Sequence, residues 1–137
     1  MMRDTQLNAA EIKIGVVGLG LMGCSITTCL LMAGHPVVAV APVSIDLAFA
    51  LKRITKHLQR SRREKLVTNA PDFYLQHLSI TEDYDQLRGC ALVIECTLEN
   101  LDIKKVVYSK IEAVIDENAL LASNTSAIPI SILQQQT

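Results

Sequence analysis

The sequence has little aromatic content and no tryptophan. Aromatic residues make up 4% of its 137 residues, whereas hydrophobic residues of all kinds make up 50%. A core with so few rings must be built from Val, Ile, Leu and Ala, which is the composition of a buried parallel sheet covered by helices. The apolar content excludes a disordered chain, and the length suits one domain.

Long hydrophobic runs and a strong charge bias are also absent. No run of about 18 apolar residues occurs, which argues against a membrane-spanning helix. The net charge is −1, and the few aromatic residues do not alternate with basic ones, so nucleic acid is not an expected partner. The polar N-terminal extension, residues 1–11, has no apolar segment of the kind that directs secretion. We therefore expect a cytoplasmic protein.

The cysteines and histidines do not form a metal-binding pattern. The four cysteines contain no Cys-x-x-Cys pair, and the three histidines lie far from any second metal-type ligand at a usual spacing. We therefore expect no metal site. Cys24, Cys29, Cys90 and Cys96 lie in apolar stretches, so we interpret them as reduced thiols in the core; a disulfide or a zinc site is the less favoured alternative.

Short aliphatic runs alternate with helix-length segments along the chain. The predicted strands are 12–17, 37–40, 78–81, 92–96 and 120–122; the predicted helices are 21–33, one capped by Ser44 that runs past Leu58, one capped by Asn100 over 101–115, and one from Pro129. This alternation predicts a doubly wound α/β fold of the Rossmann type over residues 12–137, with a mostly parallel sheet and helices on both faces. Ligands bind such sheets beyond the carboxyl ends of the strands.

A glycine-rich segment directly follows the first predicted strand and opens the first predicted helix. It reads G-L-G-L-M-G over residues 18–23, and in that position the pattern is typical of dinucleotide binding. Gly18 permits the tight turn, Gly20 lets a pyrophosphate approach the backbone, and Gly23 lets the helix pack against the strand. Free amides at the helix start attract the phosphates. The predicted cofactor-binding residues are Gly18, Leu19, Gly20, Leu21, Met22 and Gly23.

The acidic residue expected at the end of the second strand is missing. NAD sites usually place Asp or Glu there, about 20 residues beyond the glycine loop, to bind the ribose hydroxyls. Pro42 occupies this position, and its side chain can neither donate nor accept that hydrogen bond. No arginine lies beside Pro42 in sequence to receive the 2′-phosphate of NADP. Ser44 offers a weak partner and Asp46 is interpreted as a helix-start residue, so the choice between NAD and NADP stays open.

Two further segments carry a family resemblance. They read V-I-E-C-T-L-E-N-L-D-I-K-K over 93–105 and L-A-S-N-T-S over 121–126. With the glycine loop and the A-G-H triplet at 33–35, they resemble the NAD-binding domain of 3-hydroxyacyl-CoA dehydrogenases, in which the segments read roughly E-A-x-x-E-N-x-x-x-K and S-N-T-S. The resemblance extends from about residue 12 to residue 137.

The resemblance implies roles for individual residues. Glu99 and Lys104 match residues that line the nicotinamide end of NAD. Ser126 matches the serine that hydrogen-bonds the 3-hydroxyl or 3-keto oxygen of the substrate, and Asn124 matches the asparagine at the same strand end. Simpler interpretations stay open, because Glu99 and its neighbour would also suit a helix cap, Lys104 a solvated helix face, and 123–126 a turn. Glu95 is interpreted as a strand-end residue in a polar network.

The family's general base is a histidine paired with a glutamate, and both match sequence beyond residue 137, as does the helical second domain. His35, His57 and His77 match no catalytic position. Oxidation of an alcohol by hydride transfer needs a base for the hydroxyl proton, so we expect little or no turnover from this chain alone. The resemblance implies an NAD-dependent enzyme that oxidises the 3-hydroxyl of an acyl-CoA to a ketone and forms a homodimer through the second domain.

Two other functions remain open on the sequence alone. Pro42 is compatible with a degenerate Rossmann module that has a regulatory or binding role, and the substrate of an active enzyme would alternatively be a short 3-hydroxy acid rather than an acyl-CoA. The basic stretch over 52–65 is interpreted as a solvated helix face. In the family this region lies near the CoA cleft, which gives it a second interpretation as a contact for CoA phosphates.

Overall fold

The computed structural model describes residues 8–124. Its sheet has five parallel strands in the order β3-β2-β1-β4-β5. The strands are β1 (Ile14–Val17), β2 (Val37–Val40), β3 (Leu78–Thr81), β4 (Leu92–Glu95) and β5 (Leu120–Ser123). The helices are α1 (Leu21–Met32), α2 (Ser44–Arg63), α3 (Pro71–Leu75) and α4 (Leu101–Glu112), with single 3₁₀ turns at Ala9–Glu11 and Tyr84–Leu87. The strand order reverses at β1, which confirms the predicted doubly wound α/β fold.

The parallel register brings all five strand ends to one side of the sheet. Val17 pairs with both Val40 and Glu95, Val40 pairs with Thr81, and Glu95 pairs with Ser123. We call the side marked by these five last residues the carboxyl edge. Every residue of β1 and β2 is buried, because helices cover both faces of the central strands.

The two faces of the sheet have separate apolar clusters. On one face, buried residues of α1 and α2 such as Leu31, Ile54 and Leu58 pack together. On the other face, Val107 and Ile111 of α4 pack in a second cluster with residues of β1, β2 and β4. The helices therefore lie on both faces, as predicted.

Helix starts agree with the sequence prediction in one case and differ in another. Asn100 caps α4, since its side-chain oxygen accepts a hydrogen bond from the N–H of Ile103 at 3.1 Å. Ser44 is not a cap, because it is the first residue of α2 and Val43 holds the cap position. The Ser44 hydroxyl instead donates to Oε1 of Glu82 at 2.8 Å. Pro71 begins α3, where its missing N–H costs nothing. The helix predicted from Pro129 lies outside the described residues.

The cysteines are free thiols, but they are not all in the core. Cys24 and Cys90 are buried and Cys96 is partly buried, whereas Cys29 is exposed. The core prediction was therefore wrong for Cys29, which lies on the solvent side of α1. Burial raises the pKa of the Cys24 and Cys90 thiols, so both stay protonated at neutral pH. Within residues 8–124, no helix combines the length and apolarity needed to cross a membrane.

The two faces of α2 provide a matched test of the packing. Leu58 is 1% exposed and Leu51 is 51% exposed on the same helix. We expect Leu58→Ala to lower the free energy of unfolding by about 2–5 kcal/mol, because it leaves a cavity. Leu51→Ala should change it by only about 0.5 kcal/mol. Urea unfolding measures both, and equal losses would contradict this placement of α2.

Candidate nucleotide-binding site

A cavity of about 260 Å³ lies at the carboxyl edge. Its walls come from the glycine loop, from the segment after β2 and the first turn of α2, from the segment after β4 and from α4. The lining residues are Gly18, Leu19, Gly20, Leu21, Met22, Pro42, Val43, Asp46, Cys96, Thr97, Leu98 and Ile103. Most of these walls are apolar, and Asp46 is the one acidic or basic residue among the lining residues in the described part of the chain. The segments that follow β1, β2 and β4 therefore meet at one cavity beyond the carboxyl ends of the strands, where a ligand is expected from the sequence.

Glycine is required at two positions of the loop by close backbone contacts, whereas at the third position it leaves open space. Gly18 has φ of +103°, and a Cβ there would lie 2.6 Å from the backbone oxygen of Cys96. A Cβ on Gly23 would lie 1.8 Å from the backbone oxygen of Gly18. Both positions exclude a side chain because the loop packs tightly against its surroundings. A Cβ on Gly20, in contrast, would meet no atom within 4 Å, so the chain leaves open space there.

The start of α1 fits the phosphates of a dinucleotide. Gly20 is its cap residue and provides no side-chain hydrogen bond to the helix. The first amides of a helix have no partner within the helix and carry its positive dipole end. At α1 they adjoin the open space beside Gly20. This arrangement suits a pyrophosphate, which needs backbone donors and room to approach them.

Beside this cavity, a buried ion pair ends β4. The side chains of Glu95 and Lys104 are both 0% exposed, and Nζ of Lys104 lies 2.7 Å from Oε2 of Glu95. The backbone N–H of Thr97 donates to the same oxygen at 2.6 Å, and the Thr97 hydroxyl also donates to it. The Ser123 hydroxyl donates to Oε1 at 2.6 Å. This confirms the interpretation of Glu95 as part of a strand-end polar network.

Lys104 lies beneath the segment after β4. Its Nζ also donates to the backbone oxygen of Thr97 at 3.3 Å and lies 3.8 Å from Oε1 of Glu99. The solvated interpretation of Lys104 is wrong, since the side chain is fully buried. Glu99 is exposed just before α4, and neither Glu99 nor Lys104 is among the residues that line the cavity.

Asn124 follows β5 directly and is exposed. Its backbone N–H donates to the carbonyl of Glu95 at 2.8 Å, which holds it beside the buried pair. Glu95, Glu99, Lys104 and Asn124 are therefore brought to the same part of the carboxyl edge. Ser126 lies outside the described residues.

Sequence reasoning missed one residue near the glycine loop. Nη1 of Arg53 donates to the backbone oxygen of Leu19 at 3.2 Å and lies 3.7 Å from Oδ1 of Asp46. Arg53 is eleven residues beyond Pro42 in sequence, so neighbourhood in sequence did not indicate it. Arg53 and Asp46 are seven residues apart, which is two helical turns, so they share one face of α2. That spacing was the available signal.

Two kinds of reactive side chain are not catalytic candidates here. Cys96 lines the cavity, but burial, with a smaller effect of Glu95, raises its pKa to about 11, so the thiol stays protonated at neutral pH. His35 and His77 precede β2 and β3 and therefore lie toward the opposite edge of the sheet, while His57 is within α2. In the described part of the chain, which contains all three histidines, none lies at the carboxyl edge.

A family model described as 3-hydroxyacyl-CoA dehydrogenase, NAD binding domain, matches residues 13–137. The chain belongs to this family. The match confirms the resemblance drawn from the glycine loop and the two downstream segments. It also supports a nicotinamide cofactor for the cavity, without distinguishing NAD from NADP.

Individual relatives agree with the family assignment. A 3-hydroxybutyryl-CoA dehydrogenase of Mycobacterium tuberculosis is 36% identical over 120 residues, covering 86% of this chain and 42% of that protein. The human peroxisomal bifunctional enzyme is 34% identical over 125 residues, covering 91% of this chain and 17% of that protein. The crystal structure of (S)-3-hydroxybutyryl-CoA dehydrogenase from Ralstonia eutropha matches with a TM-score of 0.83 at 30% identity, covering 91% of this chain and 44% of the chain in that structure. The chain spans less than half the length of each of these family members.

The buried pair provides a prediction for stability. Lys104→Met removes the cation and leaves Glu95 as an uncompensated buried charge. We expect the free energy of unfolding to fall by about 3–5 kcal/mol. Urea unfolding at neutral pH measures this loss.

Two comparisons separate charge from general damage to α4. Lys105→Met, at the next position of the same helix, should change stability by only about 0.5 kcal/mol. Adding Glu95→Gln to Lys104→Met should recover part of the loss, because no charge is then left unpaired. A loss for Lys104→Met no larger than that for Lys105→Met would show that the pair does not stabilise the fold.

Proposed function

We propose that this chain is the nucleotide-binding part of an oxidoreductase that oxidises the 3-hydroxyl of an acyl-CoA to a 3-keto group, with NAD as the hydride acceptor. One observation carries the proposal: the uncapped start of α1 opens, beside Gly20, onto a cavity at the carboxyl edge. This is where a Rossmann domain holds the pyrophosphate of its cofactor. Family membership supplies the substrate class, since relatives are named as dehydrogenases of 3-hydroxybutyryl-CoA.

NAD, when bound, supplies the acceptor for the hydride that leaves C3 of the substrate. The amides that start α1 bind the phosphates, and Glu99 and Lys104 support the nicotinamide end. Lys104 acts there through Glu95 and the backbone of Thr97, which it contacts directly. Asn124 and Ser126 orient the substrate oxygen with an amide and a hydroxyl, neither of which adds charge to the site.

The hydroxyl proton must leave as the hydride is transferred, and it needs a base at the carboxyl edge. None of the chain's histidines lies there in the described structure. The chain by itself therefore binds the nucleotide with little or no turnover. In the whole enzyme, a histidine–glutamate pair from a helical second domain takes the proton, and the same domain completes the acyl-CoA site and the homodimer. We place the enzyme in the cytoplasm, although a plant relative and a human relative are named as peroxisomal.

One feature favours a second candidate function. Pro42 lines the cavity where an acidic residue usually binds the ribose. A module that had lost its cofactor and kept the fold as a binding or regulatory surface would have this feature. Such a module would not bind NADH or NADPH.

Gly20→Ala tests the proposed phosphate site. The added methyl group meets no protein atom, so the melting temperature should change little. It occupies the space that a pyrophosphate needs, so calorimetric titration should show NADH binding at least roughly tenfold weaker, equivalent to about 1.4 kcal/mol.

Gly23→Ala is the matched comparison within the same loop. Its methyl group would overlap the backbone of Gly18, so this variant should lose stability as well as binding. Failure of the unaltered chain to bind either NADH or NADPH would instead support the non-enzymatic module. Unchanged NADH affinity in Gly20→Ala would place the phosphates elsewhere.

Ser126→Ala tests the substrate role in the whole enzyme. Loss of one hydrogen bond to the reacting oxygen should lower kcat/KM for a 3-hydroxyacyl-CoA by roughly tenfold or more. Ser109→Ala, at an exposed position of α4, is the control and should leave turnover unchanged. A Ser126→Ala enzyme with full activity would refute the assigned role.

A further inference from the structure

We propose that Asp46 replaces the missing strand-end acid, binds the ribose hydroxyls of the cofactor and makes the cavity selective for NAD over NADP. This inference rests on the proposed function and names a residue that determines its cofactor choice. It concerns the adenosine end of the site, where this chain departs from the usual pattern.

The end of β2 itself offers no acceptor for the ribose. Ala41 is the first residue after the strand; it is buried, and its N–H donates to the carbonyl of Thr81 at 2.9 Å. Pro42 comes next and lines the cavity with a ring that has no polar atom to offer. A ribose at this position therefore needs an acceptor from another segment.

Asp46 is placed to provide that acceptor. It lies in the first turn of α2 and lines the same cavity as Gly18 and Gly20. Its side chain is 24% exposed, so the carboxylate is accessible yet partly shielded. A carboxylate accepts hydrogen bonds from both hydroxyls of an NAD ribose. The same negative charge repels the 2′-phosphate of NADP.

Arg53 fixes the position of Asp46 relative to the glycine loop. Its Nη1 lies 3.7 Å from Oδ1 of Asp46 and donates to the carbonyl of Leu19 at 3.2 Å. Its guanidinium also lies over the ring of Phe49, 5.9 Å from the ring centre. Arg53 is thus a positioning residue that ties the carboxylate to the loop. While Asp46 is present, the guanidinium of Arg53 is paired with it and is not available to bind a 2′-phosphate.

The neighbouring groups favour the same selectivity. The Ser44 hydroxyl, the other polar group considered for the ribose, donates to Oε1 of Glu82 at 2.8 Å. Glu82 brings a second carboxylate close to the start of α2. The Asp46 carboxylate therefore lies in the cavity wall, and the Glu82 carboxylate is held near the start of the same helix. A dianionic 2′-phosphate is disfavoured there, whereas neutral ribose hydroxyls are not.

Calorimetric titration of the chain with NADH and NADPH tests the assignment. The unaltered chain should bind NADH at least roughly tenfold more tightly than NADPH. Asp46→Asn should weaken the binding of NADH by roughly tenfold, which is the lower end of the range for loss of a charged hydrogen bond. The same substitution should also strengthen the binding of NADPH, because Arg53 then becomes available to the 2′-phosphate. Asp72→Asn, an exposed position of α3, is the matched control and should change neither affinity.

Arg53→Met separates direct binding from positioning. Added to Asp46→Asn, it should abolish the gain in NADPH affinity, because no guanidinium remains. Alone, it should keep the preference for NADH while lowering NADH affinity less than Asp46→Asn does. Melting curves of all variants establish that the changes in the affinity ratio occur in folded protein.

The outcomes distinguish this inference from the function on which it rests. If the unaltered chain binds neither nucleotide, the proposed function fails and the role of Asp46 fails with it. If NADH binds but Asp46→Asn leaves the ratio of the two affinities unchanged, only the role of Asp46 is overturned. A preference of the unaltered chain for NADPH would overturn it as well.

Discussion

The buried ion pair between Glu95 and Lys104 is the constraint on which the carboxyl edge depends. Moving two charges out of water costs several kcal/mol for each ion, and their attraction offsets this only when the remaining polar atoms are also paired. Here both oxygens of Glu95 have partners, because Thr97 and Ser123 donate to them in addition to the lysine. The pair therefore joins β4, α4, β5 and the segment between β4 and α4.

This constraint reaches the nucleotide cavity through the segment that follows β4. Thr97 hydrogen-bonds Glu95 and also forms part of the cavity wall. The backbone of Cys96 lies so close to Gly18 that no side chain fits between them. The first turn of the glycine loop therefore packs on the segment that the ion pair holds. The apolar core stabilises the sheet, whereas this polar network sets the positions of the loops that meet the cofactor.

The strand and helix pattern was predictable where local chemistry was unambiguous. The bounds of β2 and β3 match the prediction to the residue, since Pro36 and Pro42 delimit the short aliphatic run of β2. The cap at Asn100 was also predictable, because a side-chain amide before an amphipathic helix has an evident partner. Ser44 looked equally suitable, but its partner Glu82 lies 38 residues away, and no local pattern indicates such a contact.

The candidate site was harder to predict for the same reason. Lys104 lies three, four and seven residues before Val107, Tyr108 and Ile111, so its position on the buried face of α4 was available from periodicity. A lysine is ordinarily assigned to solvent, and only its long-range partner Glu95 accounts for its burial. The contact of Arg53 with the glycine loop likewise requires the packing of α2 against the loop, whereas its spacing from Asp46 on the same helix was available from the sequence. Sequence located the functional loops, whereas the ion pairs between segments required the fold.

The most direct test of this account is a two-dimensional ¹H–¹⁵N NMR titration of the chain with NADH. The account predicts saturable shifts of the backbone amides over 18–22 and 96–98 and of those of Val43 and Asp46, since these residues line one cavity. Shifts confined to other surfaces, or no shifts at all, would contradict the claim that the carboxyl edge of this sheet is a dinucleotide site.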